Sequence, residues 1–68
     1  MKTPGRLVSY TNKENKSQYG RTYNNENYVN GKVVVHLMND DLELIKENGQ
    51  DKKMLVDAKK LTIHGYID

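Results

Sequence analysis

The chain has 68 residues, 11 Lys and Arg against 9 Asp and Glu, and 35% hydrophobic residues with neither Phe nor Trp. A chain this short buries only about 60% of the surface it exposes when unfolded. It has room for one small domain but not for the walls and supporting layer of a catalytic pocket of ~300 Å³ or more, so no enzyme is expected. With no Cys, a disulfide framework, thiolate metal sites and a cysteine nucleophile are excluded, and packing or a partner must hold the fold.

The formal net charge is +2, with a pI of about 8.9. The charge is unevenly spread. Residues 1–36 hold six cations (Lys2, Arg6, Lys13, Lys16, Arg21, Lys32) against two anions (Glu14, Glu26), while residues 37–68 hold five against seven. The basic half also contains four of the five Tyr. No apolar run approaches the ~18 residues of a membrane span, and Met1-Lys2-Thr3-Pro4-Gly5 lacks an apolar signal core. A soluble, cytoplasmic protein without a membrane partner is therefore expected. Asn15-Lys16-Ser17 has the form of a glycosylation sequon, which carries no weight without a secretion signal.

No repeat, linker or low-complexity tract divides the chain, so residues 1–68 read as one domain. Arg6 to Thr11 is β-branched and aromatic with a period near two and predicts a strand, followed by a polar loop over residues 12–17. Gln18 to Tyr23 is a weaker strand with Gly20 as a candidate bulge, and Asn24-Asn25-Glu26-Asn27 turns the chain. Lys32 to Met38 is the strongest strand: Val33, Val35 and Leu37 share one face, and Val34, His36 and Met38 the other.

Asn30-Gly31 and Asn48-Gly49 each suit a type I′ turn, which needs positive φ at both central residues. Asp40 to Gly49 is ambiguous. Asp40 and Glu43 resemble a helix-capping pair, but Glu43 and Glu47 would repel one turn apart and the piece is short for a helix. The stronger expectation is a strand that turns at Asn48-Gly49 and pairs with Lys53 to Val56. Met54-Leu55-Val56 and Thr62 to Ile67 complete the strands, joined by one tight helical turn over Asp57 to Leu61.

Five or six short strands with closely spaced turn signals and a late helical turn describe an all-β, antiparallel small barrel. Leu55 to Gly65, a strand, one turn with an inward Leu61 and a closing strand, resembles the end of Src-homology-3-like barrels. Gly5-Arg6-Leu7-Val8-Ser9-Tyr10 is similar to the opening strand of their bacterial members. The resemblance implies a five- to six-stranded barrel with a one-turn helix before the last strand. It implies no ligand, since the acidic-Trp segment and Pro-Tyr pair of the peptide-binding group are missing.

His36 and His64 are the only histidines, and no third ligand is spaced to make a metal site with them, so neither metal nor cofactor is expected. Asp40-Asp41 with Glu43 lacks the spacing of a calcium loop. Ser9 and Ser17 have no base or acid assigned by chain order. The feature that carries a function is the interleaving of Tyr10, Tyr19, Tyr23 and Tyr28 with Arg6, Lys13, Lys16, Arg21 and Lys32. Aromatic rings stack on bases while cations follow phosphates, so nucleic-acid binding through Arg6, Tyr10, Tyr19, Arg21, Tyr23, Tyr28 and Lys32 is the first expectation. The alternative is a protein-interaction or assembly module, with Val34, His36 and Met38 as the interface of a homodimer. An aromatic peptide groove would use the same Tyr set.

Overall fold

The computed structural model describes residues 4–24 and 30–67. The strands are β1 Gly5–Thr11, β2 Ser17–Tyr23, β3 Lys32–Leu37, β4 Lys46–Glu47, β5 Gln50–Asp51, β6 Lys53–Asp57 and β7 Thr62–Ile67, with a 3₁₀ turn at Ala58–Lys60. Five of them form one antiparallel sheet in the order β6-β3-β2-β1-β7, and β4 and β5 form a separate pair. The all-β expectation and the helical turn before the last strand hold. β6 and β7 are the sheet's edges, and among the described residues no ladder joins them.

The local chemistry of the loops explains the strand ends. In the polar turn after β1, Asn12 Oδ1 accepts from the amides of Glu14 and Lys16 at 3.0 and 3.1 Å, and Asn15 takes φ 61°, a conformation Asn tolerates. Both Asn-Gly pairs turn as expected: Asn30 and Gly31 have φ 52° and 77°, Asn48 and Gly49 54° and 78°. The 3₁₀ turn is capped by Asp57, whose Oδ1 accepts from Lys59 N at 3.0 Å.

Strand alternation sends Val8, Val35, Leu37 and Val56 to one side, where they form the buried core, with Tyr10, Ile45 and the inward Leu61 packed against it. Val35 is completely enclosed. Each such aliphatic contributes about 1.5–3 kcal/mol of burial, and among the described residues the core is thin.

Three expectations are corrected. Gly20 is not a bulge: it sits in register between Val8 and Leu37, buried, where an added Cβ would lie 2.3 Å from Val35 Cγ1 and 3.1 Å from the His36 carbonyl oxygen. The irregularity lies instead across β1 and β7, where Leu7 pairs with Gly65 but Val8 pairs with Ile63, leaving His64 as the extra residue. Lys46 turns at Asn48-Gly49 as a strand should, but it pairs with Asp51 and Glu47 with Gln50, while Lys53 to Asp57 pairs with β3. Type I′ turns close two-residue loops, so the immediate neighbours pair and β6 is left for the long strand. The capping role read into Asp40 belongs to Asn39, whose Oδ1 accepts from Asp41 N and Glu43 N in an Asx turn, not a helix.

The second face of β3 is also occupied by the chain itself. His36 and Met38 are each 8% exposed and Val34 is half-buried. Met38 bridges to Leu44, and the β4–β5 hairpin folds over His36. On the face expected to meet a second copy, Met38 and His36 are therefore already met by Leu44 and Asp51.

Candidate nucleic-acid interface

The residues singled out by sequence are divided between two sides of the sheet. On the side away from Val8, the register sets Ser9 opposite Tyr19, Leu7 opposite Arg21 and Arg21 opposite His36. Alternation adds Tyr23 to the same side. Tyr19, Arg21 and Tyr23 are thus brought together. They are spent largely on each other and on histidines: the Arg21 guanidinium lies 4.6 Å from the Tyr23 ring centre, and the Tyr23 ring meets His36 edge-on at 4.6 Å. Tyr19 lies 5.6 Å from His64.

The bulge in β7 turns His64 towards this side, where its Nε2 and Ser9 Oγ are hydrogen-bonded at 2.7 Å although 55 residues apart in the chain. His36 Nδ1 bonds Asp51 Oδ2 at 2.9 Å, and Lys46 Nζ bonds the other Asp51 oxygen. The hydrogen bond from Lys46, then that from His36, holds the Asp51 carboxyl below its ordinary range against the opposing effect of burial. Ser9 and His64 thus form a hydroxyl–imidazole pair, and His36 and Asp51 an imidazole–carboxylate pair. Among the described residues no cluster of three His, Asp or Glu side chains is placed to hold a metal.

Tyr10 lies on the core side and, together with Lys32 from the start of β3, lines a cleft of about 670 Å³ between the β1–β2 turn and β6. The sheet coils until Tyr10 on β1 reaches β6, its hydroxyl donating to Met54 Sδ at 3.2 Å. Burial raises the Tyr10 pKa above its ordinary value. Lys13, Lys32, Lys52 and Lys60 line the cleft, with Glu14 and Asp57 as its carboxylates. Met54 and Leu55, 45% and 48% exposed, supply apolar surface.

Arg6 lies at neither place: it pairs across the strands with Tyr66, its guanidinium 5.4 Å from a ring that is 79% exposed. Tyr28 lies outside the described residues. Sequence reasoning missed Lys52, Lys60, Met54 and Leu55 as partners of Tyr10, because dividing the chain into a basic and an acidic half hid cations contributed by the second half. The available signal was the pair Lys52-Lys53 immediately before Met54-Leu55. Compared with protein-family models, curated proteins and solved structures, the chain matches none.

Proposed function

We propose that the chain is a non-catalytic binding module on a Src-homology-3-like barrel, and that it takes single-stranded nucleic acid along the cleft between the β1–β2 turn and β6. The observation that carries this reading is the convergence of Lys13, Lys32, Lys52 and Lys60, from four separate segments, on one cleft with Tyr10, Met54 and Leu55. A flexible polyanion needs cations spaced along its backbone and apolar or aromatic surface for its bases, and single strands supply the unstacked bases that such a cleft can take. The Tyr19–Arg21–Tyr23 side is the weaker place, since its guanidinium and rings already face each other and the histidines. The strand order with β6 and β7 as edges, and the 3₁₀ turn linking them, supports the barrel reading.

The test is fluorescence anisotropy with a labelled mixed-sequence single-stranded oligonucleotide. Three or four phosphate contacts give a log–log salt slope of about −2 to −3, which is a loss of roughly 20- to 50-fold in affinity between 50 and 200 mM salt. Lys32→Ala and Lys60→Ala should each reduce the slope by about 0.7, and Arg21→Ala should leave it unchanged. No binding at 50 mM salt, or loss with Arg21→Ala alone, overturns the proposal.

A further inference from the structure

We infer that β6 is a self-complementary edge through which two copies of the chain pair antiparallel about a two-fold axis at Leu55. β6 ends the sheet. Two bonds fix which of its backbone groups are spoken for: Lys52 O accepts from Leu37 N at 2.9 Å, and Ala58 N donates to Gly31 O at 3.1 Å. Even-numbered backbone groups thus point at β3. By alternation along a strand, the amides and carbonyls of Lys53, Leu55 and Asp57 point to the free edge. These are the groups an incoming strand would use.

The sequence Lys53-Met54-Leu55-Val56-Asp57 matches itself when reversed. Centred on Leu55, Lys53 of one copy stands opposite Asp57 of the other, Leu55 opposite Leu55 and Asp57 opposite Lys53, all on the outer side. On the core side Met54 stands opposite Val56. Opposed charges and apolar pairs directly across an antiparallel ladder are favourable, and like charges there are not. Both strand ends therefore gain an opposite partner, and the exposed surface of Met54 and Leu55 is covered. The arrangement is isologous and closes at two copies, because each chain has a single β6 edge. One five-residue strand pair is far smaller than the ~800 Å² per partner of a standard interface, so association is weak, with a dissociation constant of ~0.1–1 mM.

The test uses the absence of Cys in the chain. Leu55→Cys is the position on the two-fold axis, where facing Cα atoms lie about 5.5 Å apart, within disulfide range. Under mild oxidation without nucleic acid, Leu55→Cys should form a covalent dimer at least ~10-fold faster than Thr62→Cys, an exposed position on the opposite edge. Adding Lys53→Glu, which sets a second carboxylate opposite Asp57, should slow it. Sedimentation of the unmodified chain from 0.05 to 2 mM should show a monomer–dimer equilibrium that Lys53→Glu weakens at least ~5-fold. Equal cross-linking at the two positions, a monomer throughout, or a dimer indifferent to Lys53→Glu overturns the inference. Amide spectra of each variant confirm the fold.

Discussion

Replacing Gly20 by Ala would set a methyl carbon 2.3 Å from Val35 Cγ1 and 3.1 Å from the His36 carbonyl oxygen. Carbon atoms in contact sit about 3.5–4.0 Å apart, so the two groups must part by more than about 1 Å. Val35 has no room to give: it is fully enclosed and branched at Cβ, with few rotamers open to it. Overpacking of this kind costs roughly 1–3 kcal/mol. Removing a glycine from a strand recovers about 0.5–1 kcal/mol, leaving a net loss of about 0–2.5 kcal/mol. For a domain of this size that lowers the melting temperature by up to roughly 20 °C. Thermal unfolding followed by circular dichroism reads this directly.

The decisive control is Val35→Ala, which alone leaves a void and costs about 2–3 kcal/mol. In the double substitution the new methyl at position 20 occupies space that Cγ1 vacates. The pair should then be less destabilised than the sum of the two single changes by about 1 kcal/mol or more. A higher melting temperature for Gly20→Ala, or strict additivity in the cycle, would refute the close packing of β2 against β3.

Two further outcomes follow from the loops. The Asp51 carboxyl is held below its ordinary range by Lys46 and then His36; a pKa depressed by folding contributes stability above the unfolded value of about 3.9, and that stability is lost as pH falls through the folded value. Urea unfolding between pH 6 and 3 should show a steeper acid decline for the parent chain than for Asp51→Asn, and parallel curves would discount the Lys46–Asp51–His36 link. Leu42 is exposed with φ 61°, a conformation that disfavours L side chains by roughly 1–2 kcal/mol. Leu42→Gly should therefore leave stability unchanged or raise it by up to about 1 kcal/mol, and the β-branched Leu42→Val should lower it by about 1 kcal/mol; chemical denaturation showing the reverse order would refute the turn geometry.

The parts of the fold legible in the sequence were those that short-range chemistry decides. The Asn-Gly turns, the polar Asn12–Lys16 loop, the alternation of β3 and the one-turn link before β7 all rest on residues within a few positions of each other. Pairing partners were less legible. Lys46 could turn at Asn48-Gly49 and still meet either β5 or β6, and the outcome depends on β3 claiming β6 from the far side. Gly20 is equally open from its neighbours alone, because the reason for a glycine there is Val35 on another strand. The candidate site was half visible. Tyr10 and Lys32 were identified, but grouped with Tyr19, Arg21 and Tyr23, which do not line their cleft. The bulge at His64 is marked locally only by Gly65 beside it, φ 156°, a signal that Gly20 carries equally in the sequence, and without the bulge Ser9 and His64 would not meet.

The pairing of β1 with β7 joins the first described strand to the last, Gly5 to Ile67. Every other ladder of the large sheet joins segments that are closer in the chain, so β1, β2, β3 and β6 can zip in succession while β7 must wait for a much larger loop to close. Thr62, Ile63, His64 and Tyr66 of β7 are all exposed. Loop-closure entropy therefore favours docking of the closing strand last, after the Val8–Val35–Leu37–Val56 cluster, which contains no residue of β7.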